Sequence, residues 1–193
     1  MARGDGQGEF ITPKGFLKRP AAGPWSGPWT LHEEFQLCGD ASVPVLVADV
    51  NGDGLADLIV GHAHSYGLEW WEQQRASDGK RTWTKHVIDD SNSQYHDLIW
   101  ADIDGDGKPE LITGKRFRAH CGHDPGEFDD VGLYYFKWTG EGFAKQVIAY
   151  GQPGVGKGCG IHFQVADLRG SGRLDIIAPG KDGLDVFFNE GMS

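Results

Sequence analysis

The chain has few cysteines, fewer basic than acidic residues and no long apolar run, and each shortage excludes a class of protein. Its 193 residues include three cysteines, an odd number, so no complete disulfide framework is implied. The formal net charge of −10 argues against a nucleic-acid partner, because a phosphate-binding surface needs a cationic stripe. No apolar stretch approaches the length of a membrane span, and MARGDGQGEF contains no visible secretory signal. We therefore expect neither nucleic-acid binding nor a membrane span, and the cellular compartment stays open.

A helical period is also lacking. The 30 glycines and the 11% of aromatic residues suit many short strands joined by tight turns. Residues 1–28 are rich in Gly, Pro and Lys without a sustained period, so we expect them to form a flexible N-terminal arm. Over residues 29–193 the pattern predicts an all-β structure.

What the sequence has instead is one pattern repeated three times: an apolar strand, an Asp/Gly-rich loop and a second apolar strand. The copies are VLVADVNGDGLADLIVG (Val45–Gly61), LIWADIDGDGKPELITG (Leu98–Gly114) and FQVADLRGSGRLDIIAPG (Phe163–Gly180). Self-similarity at this spacing is the signature of a repeat architecture.

Further strands are predicted around each copy. A third strand follows each copy, at Leu68–Trp71, Leu133–Trp138 and Leu184–Phe188. An outer strand is predicted at Trp29–His32, Trp83–His86 and Phe143–Gln146. Each repeat is then a four-stranded antiparallel meander, the unit of a β-propeller blade, and the chain holds about three blades. Closed propellers have about 4–8 blades, so we expect a part of a larger propeller or a homo-oligomer that completes a ring. In a ring closed on itself, the first outer strand would complete the last blade.

The Asp/Gly loops of the first two copies are candidate calcium sites. Side-chain oxygens at loop positions 1, 3, 5 and 9, with the backbone carbonyl of position 7, converge in a tight turn and suit Ca²⁺. In the first copy these ligands are Asp49, Asn51, Asp53, Leu55 and Asp57. In the second copy they are Asp102, Asp104, Asp106, Lys108 and Glu110. The alternative is an Asp/Gly turn that binds nothing. We expect two calcium ions that stabilise the turns.

The third copy departs from this pattern. It keeps Asp167 and Asp175 but has Arg169 and Ser171 at positions 3 and 5. A guanidinium in the loop would repel Ca²⁺ and replace it by pairing with the carboxylates. We predict no metal there.

The pattern DxDGDGxx[DE] between two apolar strands resembles the FG-GAP and VCBS repeats of integrin-like β-propellers. The segments GHAHSYGL, SQxH, TGKRxxAHxGHDPGE and PGKxGL resemble bacterial VCBS-repeat proteins, and more loosely the propeller of aldos-2-ulose dehydratase, a sugar lyase. The resemblance covers about residues 29 to 190. It implies a calcium-binding propeller of a family that is often extracytoplasmic.

Hairpin geometry places a second group of polar residues at the end of the blades opposite the Asp/Gly loops. The start of the first strand and the end of the second strand of each copy share that end. Convergence of titratable groups at a channel mouth is typical of a binding site. The candidate ligand-binding residues are His62, His64, Tyr66, Gln94, His96, Lys115, Arg116, His120, His123, Lys157, His162 and Lys181.

Several functions fit this cluster. The first is recognition of a polar ligand, a carbohydrate or uronate, by a binding module. The second is a carbohydrate lyase or dehydratase of the aldos-2-ulose dehydratase type, with catalytic candidates His96, His120, Lys115 and Tyr66. The third is a set of satisfied polar loops at blade junctions, and a protein–protein adhesion or scaffolding propeller is a further alternative. A Zn²⁺ site built from His62 and His64 with His120 or His123 has only a weak signal, because no HExxH or CxxC spacing is present.

Overall fold

The computed structural model describes residues 8–39, 42–118 and 122–191. These ranges form fourteen β-strands in four antiparallel sheets. None of the described residues belongs to a helix, so none forms a helix able to cross a membrane. The all-β prediction is confirmed.

The two central sheets are complete blades of four strands each. Sheet II consists of β4 (Val45–Ala48), β5 (Asp57–Gly61), β6 (Tyr66–Arg75) and β7 (Arg81–Ser93). Sheet III consists of β8 (Tyr95–Ala101), β9 (Glu110–Lys115), β10 (Val131–Trp138) and β11 (Phe143–Gly151). In both, neighbours in sequence are neighbours in the sheet, which is the predicted meander.

The two outer sheets have three strands each. Sheet I consists of β1 (Glu9–Thr12), β2 (Gly15–Lys18) and β3 (Thr30–Glu33). Sheet IV consists of β12 (Gln164–Ala166), β13 (Asp175–Gly180) and β14 (Gly183–Phe187).

Sheet I corrects two expectations. Strands β1 and β2 lie inside segment 1–28, which was expected to be a flexible arm. The tight turn between Thr12 and Gly15 joins two strands of only four residues, too short for a sustained period. The first outer strand, β3, pairs with β2 and does not complete the last blade. The described chain therefore has four sheets rather than three.

The sheets are held together by apolar layers between successive blades. Alternation along β5 sends Ile59 to the core shared with sheet III, and Leu58 and Val60 to the core next to sheet I. The indole of Trp70 contacts that of Trp138 in sheet III at a centroid distance of 4.9 Å. Inter-blade packing by this tryptophan is as predicted.

The blades therefore have two distinct ends. At one end lie the acidic loops that join the first two strands of sheets II, III and IV (residues 49–57, 102–110 and 167–175). At the other end, called here the histidine end, lie residues 62–66, 93–97, 115–118, 122–130, 157–162 and 181–182.

Candidate functional site

The first acidic loop turns around its own first carboxylate. The Asp49 carboxylate accepts hydrogen bonds from the backbone N–H of Gly52 at 2.8 Å and of Gly54 at 2.9 Å. Gly54 has φ of 81°, a left-handed conformation that glycine adopts without strain. Asn51 donates through Nδ2 to the carboxylates of Asp53 and Glu72, at 3.2 Å each. One turn thus brings several carboxylate and amide oxygens together, and the carboxylate of Glu72 on β6 lies beside them.

Asp57, the last predicted ligand of the first loop, is fully buried and bonded on both oxygens. It accepts the backbone N–H of Val50 at 3.1 Å and that of Gln73 at 2.8 Å. Burial raises the pKa of this carboxyl and outweighs the hydrogen bonds that lower it. Asp57 therefore joins the loop to β6.

The second acidic loop brings three carboxylates together. Oxygens of Asp102, Asp104 and Asp106 lie within 4.8 Å of one another. Lys137 of β10 donates to Asp104 and, at 2.7 Å, contacts Asp106. Glu110 is 1% exposed, and its Oε1 has no hydrogen-bond partner within the described part of the chain. This loop combines a convergent acidic group with an internal cation that the sequence analysis did not identify.

The third loop is held by arginine, as its sequence suggested. Arg169 contacts Asp175 at 3.2 Å and Glu190 at 2.8 Å, and its guanidinium lies 4.7 Å from the centre of the Phe188 ring. Asp167 accepts the backbone N–H of Gly172 at 2.7 Å. The turn therefore closes with its positive charge supplied by the chain.

The donor chemistry of the first two loops fits a hard divalent cation. Carboxylate and amide oxygens of one short turn are ligands that Ca²⁺ prefers, at 2.3–2.6 Å. Two ligands on opposite sides of such an ion are about 5 Å apart, and the carboxylate oxygens of the second loop lie close enough together to share one ion. The carbonyl ligands at Leu55 and Lys108 stay predictions, as does occupancy of both loops by calcium.

At the histidine end, backbone hydrogen bonds join loops of two neighbouring blades. Gln94 lies in the turn between β7 and β8, with φ of 62°. Its N–H donates to Ser65 O at 3.3 Å, and its carbonyl accepts the N–H of Arg116 at 3.2 Å. The N–H of Tyr95 donates to His62 O at 3.2 Å. The predicted convergence of residues 62–65, 94–96 and 116 is therefore present in the structure.

Asp124 is the centre of the side-chain cluster at this end. His64 Nδ1 lies 2.9 Å from the Asp124 carboxylate, and Gln94 Nε2 is 3.5 Å from the same oxygen. The His64 and His96 rings meet edge to face, with centroids 5.3 Å apart. His64, Gln94 and His96 were predicted site residues, and all three are brought together.

Lys115 is fully buried beneath this cluster. Its Nζ donates to the carbonyl of Arg116 at 3.3 Å. Burial lowers the pKa of Lys115, whereas the charges of Asp129, Glu127 and Asp130 act in the opposite direction. Burial therefore disfavours the charged form of Lys115, and the neighbouring carboxylates partly offset this effect.

Three polar atoms near this lysine are buried without a hydrogen-bond partner within the described residues. They are Ser93 Oγ, Gln94 Oε1 and Glu127 Oε1. Ser93 and Gln94 are fully buried, and Glu127 is 1% exposed. The segment carrying Glu127 packs closely, because a Cβ on Gly126 would lie 2.6 Å from Ser93 Oγ and 2.5 Å from the Tyr66 hydroxyl. Gly126 also has φ of 69°, so a larger residue there would be strained as well as crowded.

Tyr66 lies at the edge of the cluster and is 41% exposed. Its hydroxyl donates to Asp129 at 2.5 Å, and this hydrogen bond raises the pKa of the phenol. A raised pKa disfavours the phenolate that a general base requires. The lyase alternative, with candidates His96, Lys115 and Tyr66, gains no support from this geometry and stays a prediction.

The remaining predicted residues occupy different surroundings. His62 Nε2 pairs with Glu69 at 3.3 Å, and His162, with a 79% exposed side chain, lies 3.5 Å from Asp97. Lys157 pairs with Asp182 at 2.9 Å and Asp185 at 2.8 Å, on sheet IV. Lys181 donates to the carbonyl of Arg118. His123 is exposed. These residues border the central cluster around Asp124.

His120 and Cys121 lie outside the described residues. Within the described ranges, the one group of acidic, histidine or cysteine side chains with metal-binding spacing is Asp102, Asp104 and Asp106. Burial raises the pKa of the Cys159 thiol to about 12, which disfavours a thiolate ligand. The zinc alternative gains no support and stays a prediction.

Sequence reasoning missed Glu127, Asp129, Glu72 and Lys137. Glu127 and Asp129 follow the GHDP segment in a stretch without strand periodicity. No sequence pattern therefore indicated which way their side chains face. Glu72 and Lys137 are near the ends of predicted third strands, where alignment of the three repeats could have flagged them.

Residues 49–113 match the family model of the FG-GAP-like repeat. This segment runs from the first acidic loop to β9 and includes both predicted calcium loops. No curated protein sequence matches the chain.

A solved structure with a similar fold is that of an Agrocybe aegerita lectin, described as recognising non-reducing terminal N-acetylglucosamine. The TM-score is 0.57 and the identity 18% over 97% of this chain. The match covers 48% of the lectin chain, so this chain spans about half of its length. At this identity the likeness shows the fold alone. Residues 49–113 thus carry an FG-GAP-like repeat, and the four antiparallel sheets of the described residues have the blade arrangement of a β-propeller.

Proposed function

We propose that the chain is a calcium-stabilised β-propeller module that binds a polar, carbohydrate ligand at its histidine end. The observation that carries the proposal is the group of buried, unpartnered polar atoms Ser93 Oγ, Gln94 Oε1 and Glu127 Oε1. More than about 90% of buried polar groups in native proteins have hydrogen-bond partners. Their missing partner is supplied by an ordered water or, where the loops of this junction open, by a ligand, and the hydroxyls of a sugar can both donate and accept.

The surroundings of these atoms support a carbohydrate. The ring of Tyr66 is partly exposed at the edge of the cluster and offers an apolar face with a polar tip. Arg116 and Lys181 add positive charge near the same loops, which suits a ligand with carbonyl or carboxylate oxygens. The fold likeness to a lectin agrees with this ligand class.

The ligand proposal is tested by isothermal titration calorimetry against three glycans, ending in N-acetylglucosamine, galactose or glucuronate. We expect saturable binding of at least one. Glu127→Gln and Arg116→Ala should weaken it at least about tenfold, or about 1.4 kcal/mol. The first substitution removes a charge with little change of shape, and the second removes a donor at the loop junction.

Lys80→Ala is the matched control, because Lys80 is an exposed basic residue at the opposite end of sheet II. It should leave the glycan affinity unchanged. Absence of saturable binding across the panel, or an equal loss in Lys80→Ala, would contradict the proposed site.

Calcium is proposed as a structural ion of the first two acidic loops. An ion that binds only the folded chain raises its stability by mass action. Millimolar Ca²⁺ should raise the melting temperature, and the double variant Asp102→Ala and Asp106→Ala should lose the part due to the second loop. A melting temperature that is the same in Ca²⁺ and in chelator would refute the assignment.

A further inference from the structure

Each acidic loop is faced by the same position of the third strand of its sheet. The last paired residues beside the loops are Leu58 with Trp71, Leu111 with Phe136 and Ile176 with Phe187. The next residue along the third strand, opposite the last acidic residue of the loop, is Glu72, Lys137 or Phe188. This equivalent position differs in charge in all three repeats.

The three residues act differently on their loops. Glu72 adds a carboxylate, which accepts from Asn51. Lys137 inserts an ammonium between Asp104 and Asp106. Phe188 carries no charge and packs under the guanidinium of Arg169, which supplies the cation of the third loop.

We propose that Lys137 is the internal counter-ion of the second acidic loop and that Ca²⁺ has to displace its ammonium to bind there. This inference rests on the calcium binding proposed above. The ammonium contacts two of the three convergent carboxylates, and a divalent cation among them would be repelled by it. Lysine and calcium therefore compete for one set of oxygens.

A second observation shows that the lysine does not fully satisfy the loop. The Oε1 atom of buried Glu110 has no hydrogen-bond partner within the described residues and lies 4.0 Å from Lys137 Nζ, beyond hydrogen-bond distance. A buried carboxylate oxygen left in this state, beside three convergent carboxylates, has the character of an unused metal ligand.

The position of Lys137 allows the exchange. Its side chain is 35% exposed, so its ammonium has access to solvent when an ion replaces it. Without metal, the ammonium of Lys137 reduces the electrostatic repulsion among the carboxylates of the second loop. The second loop is therefore an ion-exchange site with a reduced calcium affinity, whereas in the first loop Glu72 adds negative charge.

The test is Lys137→Met in a chain whose first loop is weakened by Asp53→Ala. Calcium titrated by calorimetry should bind the second loop at least about tenfold more tightly than in the Asp53→Ala parent, or about 1.4 kcal/mol. In chelator the same variant should melt at a lower temperature than its parent, because four carboxylates lose their counter-ion. We therefore expect a higher calcium affinity together with a lower melting temperature in chelator.

Lys80→Met is the matched control, since it makes the same substitution at an exposed lysine outside the three acidic loops. Its ammonium pairs with Asp78 at 3.3 Å, so calcium affinity and melting temperature in chelator should both change little. Equal calcium affinity with and without Lys137 would overturn the inference while leaving calcium binding intact. No calcium binding in either variant would refute the calcium proposal itself. Glu72→Lys should in turn weaken calcium binding at the first loop, and an unchanged affinity would count against the role of this position.

Discussion

The two ends of the blades satisfy their polar groups in different ways. At the acidic end, the carboxylates are paired mainly within their own sheet: Asp57 accepts two backbone N–H groups, Lys137 contacts Asp106, and Arg169 contacts Asp175. At the histidine end, the contacts run between loops of neighbouring blades, as in the pair of His64 with Asp124.

This difference indicates where stability and where recognition reside. A group that is fully bonded inside its own sheet contributes to folding and has no capacity left for a ligand. Buried polar atoms left without partners, such as Ser93 Oγ, lower stability unless something else bonds them. Functional sites commonly keep groups that lower the stability of the fold. Apart from Glu110 Oε1, which we assign to calcium, we therefore assign the acidic end mainly to stability and the histidine end to the binding of a larger ligand.

The largest effect is expected for Asp57→Ala at the acidic end. Two buried backbone N–H groups, of Val50 and Gln73, would lose their acceptor, at a cost of about 2–4 kcal/mol in the free energy of unfolding. Urea denaturation measured in chelator gives this value without a contribution from metal.

His64→Ala is the counterpart at the histidine end. Its imidazole is 14% exposed and pairs with the Asp124 carboxylate at 2.9 Å, so the loss should be about 1–2 kcal/mol, below that of Asp57→Ala. If His64→Ala cost as much as Asp57→Ala, the division of the molecule into a structural and a binding end would fail.

An intermediate loss of folding stability is expected at low pH, where Glu69 on β6 becomes protonated. Burial alone would raise the pKa of Glu69, but hydrogen bonds from His62, Lys85 and Trp71 outweigh it and lower the pKa to about 2. A depressed folded-state pKa stabilises the fold above the ordinary value of 4.5, and this stabilisation is lost as the pH falls toward about 2.

The loss from Glu69 should be on the order of 2 kcal/mol, seen as a drop in urea midpoint between pH 5 and pH 2.5. In Glu69→Gln this part of the drop should disappear. An identical acid profile in that variant would show that Glu69 does not control the stability of the loop with His62.

The acidic end could largely be predicted from the sequence, and the histidine end only in outline. Ligand spacing in the loop Asp102–Glu110 is local, so a short pattern shows it. Lys137 is distant in sequence and enters that loop only through the register of β10 on β9. Which atoms of Ser93 and Glu127 stay without a hydrogen-bond partner depends on how residues 122–130 pack against the neighbouring blade. No periodicity carries that information.

The smallest expected effect on stability is that of Ser93→Ala, and it tests the comparison most directly. Ser93 Oγ is buried without a partner among the described residues, so its removal should be neutral or stabilise the ligand-free fold by up to about 1 kcal/mol. Ser91→Ala makes the same chemical change two residues earlier, where the hydroxyl donates to Asp89 at 2.5 Å, and should destabilise by about 1 kcal/mol. Urea denaturation gives both values, and calorimetry with the bound glycan gives the affinities. A stabilised Ser93→Ala with weakened glycan binding would show that this hydroxyl is kept for a ligand, whereas a clear loss of stability would show that it serves the fold.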